Sequence, residues 1–450
     1  MGPIIVVFGI TGDLSRRKLL PALYNLLAQS HLPADTSIIG LSRKPLTVAK
    51  LLGATGLQVM GQNWIVNPIS MAKLRKCLQT LQVDPTKQKD YQKLSKLINK
   101  LDPLGTRERL FYMSVPANAY KQVIKQMAAN GLNTKNTRLL VEKPVGHSYA
   151  SAKSLLKLTA EAFSEDQIYR IDHYLAKETA QNLLAFRVHN PIFAPIWNAK
   201  HIKSIHIKAS EEIGIEGRAN FYEQTGALRD LVQSHLLQLL ALTMMDVPHS
   251  LTSESIHESK QAFLKKLKAG DPKETIRAQY KGYKNEVENP ESNTETYVLT
   301  RLHHRSARWS NTQIILETGK ALKEKTTEIT LCFKLPYQAR DNKLTLHLQP
   351  NEGISLSLLV KEPGLKNVMQ PAALGFRYSE VFPDKPQVDA YERVFMDTVR
   401  GDQALFASDI EVLETWRVLQ PILNSWKAQG SHGLKYYKKG SDGPEKTSVL

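Results

Sequence analysis

Residues 3–27 read PIIVVFGITGDLSRRKLLPALYNLL, and this stretch decides the fold. Pro3–Phe8 is an apolar run of the length of one buried strand. Gly9 and Gly12 bracket a tight turn, and Leu19, Leu20, Leu23 and Leu27 line one side of a predicted helix. A strand, a glycine turn and a helix leave free backbone amides at the helix N-terminus, where a pyrophosphate can sit. The spacing is GxxG rather than GxGxxG, a pattern that an ordinary strand-to-helix turn also produces.

Working outward, Thr36–Leu41 predicts a second strand that ends in Ser42-Arg43-Lys44. An NAD enzyme usually places Asp or Glu there, against the ribose hydroxyl. A basic, hydroxylic sequence suits a 2′-phosphate instead. Residues 45–108 read as helical and polar and carry no recognisable chemistry. Arg109–Ser114 and Arg138–Val141 return to strand, with a helix over Ala117–Asn130 between them, stopped by Gly131. The second of these strands leads into Glu142-Lys143-Pro144, which puts a lysine at the carboxyl end of a strand, where such sheets bind ligands. The Lys143-Pro144 bond is a candidate for the cis isomer.

Gln167–Glu178 reads QIYRIDHYLAKE. The pattern predicts a short strand that turns into a helix, with Asp172 as its cap. His173 and Lys177 then share one face of the first turn, with Tyr174 beside them. Cations there oppose the helix dipole, and a bound phosphate removes the conflict. A solvated helix start with a charged face is the plain alternative.

Past Pro191 the pattern changes. His201–Ser210, Thr296–Leu302, Thr312–Glu317, Glu328–Leu335, Lys343–Gln349 and Ile354–Lys361 read as strands with few helices between them. They predict a large antiparallel sheet. Gly226–Asp246 reads as a helix, apolar on nearly every face and therefore buried. His235 lies within it, as a satisfied core residue or as a base. A base needs a carboxylate to orient its second nitrogen. Five residues of regular helix rotate by roughly 500°, which leaves Asp230 about 140° from His235. Asp172 is the better partner if the fold brings it close. Helices return at Asp389–Arg400 and Ser408–Trp426, and the chain from Gln429 is poorly specified.

The 450 residues suffice for two or three domains, and the net charge is +17. No apolar run reaches membrane-spanning length and no leader pattern precedes the first strand, so neither membrane nor export is expected. Two cysteines, Cys77 and Cys332, stand without a CxxC, which points to a reducing cytoplasm and to no metal site. The basic residues are spread along the chain without a nucleic-acid motif. Phosphorylated small molecules therefore fit the charge better than nucleic acid does.

Several segments in order resemble glucose-6-phosphate dehydrogenase. RIDHYLAKE at 170–178 is close to that family's RIDHYLGKE. GITGDLSRRK at 9–18, GLSRKPLTV at 40–48, VEKPVG at 141–146 and EEIGIEGRANFYEQTGALRDLVQSHLLQ at 211–238 support it. TGKALKEK at 318–325 and YYKKGSDGP at 436–444 complete the set. The glucose–fructose oxidoreductase group shares an EKP lysine, but the RIDHY and SHLLQ segments argue against it.

The resemblance implies an α/β Rossmann-type dinucleotide-binding domain over residues 1–172. An α+β substrate-binding and dimerisation domain with a large, mainly antiparallel sheet would follow over 173–450. It implies oxidation of glucose 6-phosphate at C1 to 6-phosphogluconolactone with NADP, the first step of the oxidative pentose phosphate pathway. It also implies a homodimer or a dimer of dimers. By motif, His235 is the catalytic base and Asp172 its partner. His173, Tyr174 and Lys177 match a sugar-phosphate clamp. Lys143, Glu211, Asp230, Lys320 and Lys325 match substrate contacts. Gly9, Thr11, Gly12, Asp13, Lys18, Arg43 and Lys143 match cofactor contacts.

Three positions depart from the pattern: Ala176 for a glycine, Ser234 for an asparagine and Glu317 for an arginine. The reversed charge at 317 argues against an additional anion site there. A non-catalytic, ligand-sensing relative is the alternative, and loss of His235, Asp172 or Lys143 would have favoured it. All three are present.

Overall fold

Every residue from Ile4 to Phe8 is buried because both faces of the sheet they belong to are covered. The computed structural model describes residues 1–53, 67–335, 342–385 and 388–446, and in it these five residues form β1 (Ile4–Phe8). Five parallel strands join it: β2 (Ser37–Ser42), β3 (Leu78–Gln82), β4 (Arg109–Met113), β5 (Thr137–Val141) and β6 (Ile168–Arg170). Their order, β3-β2-β1-β4-β5-β6, is that of a doubly wound dinucleotide-binding sheet. Successive side chains alternate between faces. Ile5 and Val7 enter one apolar cluster with Leu19, Leu20, Leu23 and Leu27. Ile4, Val6 and Phe8 enter the other, with Phe111, Val123 and Ile124.

This sheet belongs to a compact unit made of residues 1–146, 150–177 and 388–409. The late contribution includes helix Ala390–Arg400, which supplies Val394 and Phe395 to the first cluster. The Phe395 ring lies 5.6 Å from that of Tyr112, and Phe406 meets Tyr169 edge-on at 4.9 Å. Arg138 donates to the Val399 carbonyl at 2.8 Å. The chain leaves this unit after Lys177 and returns to it at Val388.

The second unit is built on nine strands: β7 (Ile202–Ser210), β8 (Thr275–Tyr280), β9 (Tyr297–Leu302), β10 (Gln313–Gly319), β11 (Thr326–Phe333), β12 (Lys343–Gln349), β13 (Gly353–Lys361), β14 (Met369–Arg377) and β15 (Leu434–Tyr437). Their order is β14-β13-β12-β11-β7-β10-β9-β8-β15. Neighbours are antiparallel except β7 with β10 and β8 with β15. The expected α+β architecture with a large, mainly antiparallel sheet is thus present. β3, β8, β14 and β15 were not expected as strands. β14, at one sheet edge, is exposed at every residue, Leu374 and Phe376 included.

The predicted helix over 226–246 is three pieces. An α-helix, Ala219–Ala227, breaks at Gly226, whose φ is 68° and ψ 170°. A π-helical stretch, Leu228–Leu236, follows, and an α-helix, Leu237–Met244, completes it. Among the described residues no helix is long and apolar enough to cross a membrane.

Candidate active site

The glycine turn after β1 is held by backbone contacts. Gly9 has φ +75°, and a Cβ there would meet the Ser114 carbonyl oxygen at 2.2 Å, so a side chain has no room. The Gly12 amide donates to Gly9 O at 2.9 Å, and so does the Ser15 hydroxyl. Ile10 N donates to Leu41 O at 3.1 Å, which ties the turn to β2. Thr11 and Asp13 stay exposed at the start of the helical stretch. Arg43 is exposed just beyond β2, and its carbonyl accepts from Gln82 Nε2 at 3.1 Å. An unobstructed glycine turn at a helix start, with a cation beyond the next strand, fits a dinucleotide. Lys18 pairs with Asp389 at 3.3 Å on the surface.

At the end of β5, Glu142 accepts a hydrogen bond from Tyr112 Oη, and Tyr120 Oη donates to the Glu142 carbonyl at 3.1 Å. The Lys143-Pro144 bond is cis. Burial raises the carboxyls of both Glu142 and Asp172, and the Lys143 ammonium opposes that rise in both. Lys143 therefore sits within the electrostatic reach of two desolvated carboxyls.

The segment after Asp172 corrects the predicted helix. Residues 173–177 form a turn, and the helix begins at Glu178 and runs to His189. Asp172 Oδ1 accepts from the Tyr174 amide at 2.9 Å. Such a local side-chain bond offers the backbone an alternative to helix. His173, Tyr174 and Lys177 nevertheless meet, around an aromatic ring instead of along a helix face. Lys177 Nζ lies 4.8 Å from the Tyr174 ring centroid, and the His173 ring 5.1 Å from it. Ala176 is not among the residues with positive φ, so alanine carries no left-handed backbone penalty there.

In the second unit, parallel register places Ser210 of β7 beside Gly319 of β10, so the next residues, Glu211 and Lys320, emerge side by side. Their side chains form an ion pair, and Lys320 Nζ also lies 5.1 Å from the Tyr222 ring centroid. Lys325 is exposed between β10 and β11, away from this pair in the chain. His235 is buried, and Asp230 half-buried, on the π-helical stretch. Hydrogen bonding there runs i→i+5, so residues five apart lie about one turn from each other. The angular argument against Asp230 assumed a regular α-helix, and that premise fails. Asp172 belongs to the first unit and His235 to the second.

Sequence reasoning missed Glu295. It is buried; its carboxylate accepts from Leu228 N at 2.9 Å and its carbonyl from Ala227 N at 2.9 Å. It thus caps the stretch that carries His235. Ser234 donates its hydroxyl to Asp230 O at 2.8 Å. Glu317 is fully buried, with Lys446 Nζ at 2.7 Å, His206 Nε2 at 3.0 Å and the Tyr297 hydroxyl donating at 3.0 Å. Burial alone would raise its carboxyl, but His206 and Lys446 outweigh that and hold it at about 2. The reversed charge is therefore neutralised within the protein.

The family model described as glucose-6-phosphate dehydrogenase, NAD binding domain, matches residues 6–182, and that of the C-terminal domain matches residues 184–450. The chain belongs to the glucose-6-phosphate dehydrogenase family. A glucose-6-phosphate 1-dehydrogenase of Rhizobium meliloti (strain 1021) is 37% identical, over 99% of this chain and 95% of its own. Glucose-6-phosphate 1-dehydrogenase 5, cytoplasmic, of Arabidopsis thaliana is 34% identical, over 99% and 90%. The solved structure of a glucose-6-phosphate dehydrogenase in complex with its substrate glucose-6-phosphate superposes with a TM-score of 0.93 at 30% identity, covering 99% of this chain and 96% of that one. The family's two domains correspond to the parallel sheet and the nine-stranded sheet.

Proposed function

We propose that this chain oxidises glucose 6-phosphate at C1 to 6-phosphoglucono-1,5-lactone and that NADP⁺ is its oxidant. The observation that carries the reading is a family match running through both domains, in a chain whose sequence contains Lys143, Asp172 and His235. Neutral His235 takes the C1 hydroxyl proton as the carbonyl forms. Asp172 holds the imidazole in one tautomer and balances the charge it acquires. His173, Tyr174 and Lys177 grip the sugar phosphate, a dianion that a lysine and two ring donors suit. Lys143, Glu211, Asp230, Lys320 and Lys325 orient the hexose. Gly9, Thr11, Gly12 and Asp13 would hold the pyrophosphate, Arg43 the 2′-phosphate, and Lys18 and Lys143 would complete the cofactor contacts in this reading. When bound, the nicotinamide accepts the hydride released from C1.

The test is the near-ultraviolet absorbance of reduced nicotinamide, followed with purified protein, glucose 6-phosphate and either NADP⁺ or NAD⁺. A rise that requires the sugar phosphate is expected, faster with NADP⁺. Folded protein that reduces neither nucleotide overturns the reading.

Assembly as a homodimer or a dimer of dimers, through the β13–β14 hairpin, belongs to the same proposal. β14 is an open sheet edge with exposed Met369, Leu374 and Phe376, the kind of edge proteins normally cover. Residues 369–377 carry one charge, Arg377, in a chain of net charge +17, so two copies can meet there with little repulsion. Light scattering on Leu374→Lys should show a smaller particle than the parent, and an unchanged mass rejects this surface. Cytoplasmic residence is proposed from the two free cysteines, Cys77 and Cys332.

A further inference from the structure

The turn that carries Lys320 is closed on one side by the sheet and on the other by the end of the chain. From the sheet side, Lys320 N donates to Thr296 O and Ala321 N to Ile213 O, each at 2.9 Å. From the other side come the last residue of β15, Tyr437, and the segment after it. The Tyr437 hydroxyl donates to Lys320 O at 2.6 Å. Gly440 N donates to Ala321 O at 2.8 Å, and Lys323 N to Ser441 O at 3.0 Å. Beyond them Lys446 pairs with buried Glu317 of β10, three residues before Lys320 in the chain. Ala321 sits at φ +51°, a left-handed conformation that a side chain disfavours and that persists only where surroundings impose it.

We propose that residues 434–446 form a strap that positions Lys320 for the hexose, with Tyr437 as the positioning residue. Tyr437 is buried, its ring packs edge-on to that of Tyr297 at 5.8 Å, and its hydroxyl is the one side-chain group described as bonding the Lys320 carbonyl. Lys320 itself is almost wholly buried, so its ammonium has little freedom to find the sugar except by backbone placement. The Lys446–Glu317 pair ties the far end of the strap to β10, the strand that leads into Lys320. The inference rests on the reading of Lys320 as a substrate contact and adds the element that aims it.

The test measures glucose 6-phosphate binding by calorimetry, together with KM for each substrate and kcat, in Tyr437→Phe, Lys446→Met and Lys320→Ala. Tyr437→Phe removes one hydroxyl and keeps the ring. It should weaken glucose 6-phosphate roughly three- to ten-fold in both Kd and KM, the range of one lost hydrogen bond. KM for the nucleotide and kcat should stay within about two-fold, a split that general loosening of the fold would not produce. Lys446→Met should show the same selective loss. Lys320→Ala with unchanged sugar-phosphate binding overturns the role of Lys320 and the strap with it. A large loss in Lys320→Ala with none in Tyr437→Phe and Lys446→Met overturns the strap alone.

Discussion

Gly226 and Glu295 meet where the helix carrying His235 begins: a Cβ at 226 would lie 2.5 Å from Glu295 Oε1. The backbone at 226, φ 68° and ψ 170°, is one that glycine alone adopts readily. Gly226→Ala should therefore cost on the order of 3 kcal/mol, from strain and from the displaced Glu295 carboxylate together. Thermal melts and turnover check this, and a Gly226→Ala protein with the parent's Tm and rate contradicts it.

His235→Asn removes the proposed base while keeping a polar side chain of similar reach. We expect kcat to fall by about 10²- to 10⁴-fold, with glucose 6-phosphate binding changed only slightly. Turnover near the parent's would reject the assignment.

Arg43 is exposed beyond β2, and the proposed function assigns it the 2′-phosphate of NADP⁺. Arg43→Ala should weaken NADP⁺ about ten- to one-hundred-fold and leave NAD⁺ nearly unchanged. Equal losses for the two nucleotides would place the discrimination elsewhere.

Asp397, on helix Ala390–Arg400, is pushed up from 3.8 to about 6, chiefly by burial, with Asp402 adding and Arg393 opposing. A raised folded-state pKa means that the folded chain binds the proton more tightly than the unfolded one. The stability linked to that proton is full below about pH 4 and is lost as pH rises through about 6. Asp397→Asn should therefore raise stability by up to about 3 kcal/mol near pH 8 and by little at pH 4. Melting curves at the two pH values decide it; the same shift at both would be inconsistent with a buried carboxylate penalty.

How far the sequence reveals the molecule depends on whether local pattern or distant packing sets each feature. β1 is legible because a strand covered on both faces must be apolar throughout. β3 and β15 are not, since each ends a sheet and needs no continuous apolar run. Pro371 and Gly375 mask β14, where an edge position tolerates both. The π-helical stretch around His235 has the composition of any buried helix, so its altered register, and with it the Asp230 geometry, is invisible beforehand. Glu295 lies in the polar run Glu291–Thr296, and its capping role exists only because the fold returns it to residues 227–228. His173, Tyr174 and Lys177 come together around the Tyr174 ring and not on a helix face, because the Asp172–Tyr174 bond favours a turn there over a helix.

The return of residues 388–409 to the first unit has a consequence for how the protein is made. During synthesis the parallel sheet emerges early, yet Phe395 and Phe406, which cover Tyr112 and Tyr169, leave the ribosome only after most of the chain has been translated. Until then an apolar face of the nascent unit is open to water, and translation must outlast that exposure. A fragment ending at residue 182, where the NAD-binding family match stops, would keep that face open permanently. The nucleotide-binding half is therefore a late-finishing part of this protein, although almost all of it is translated first.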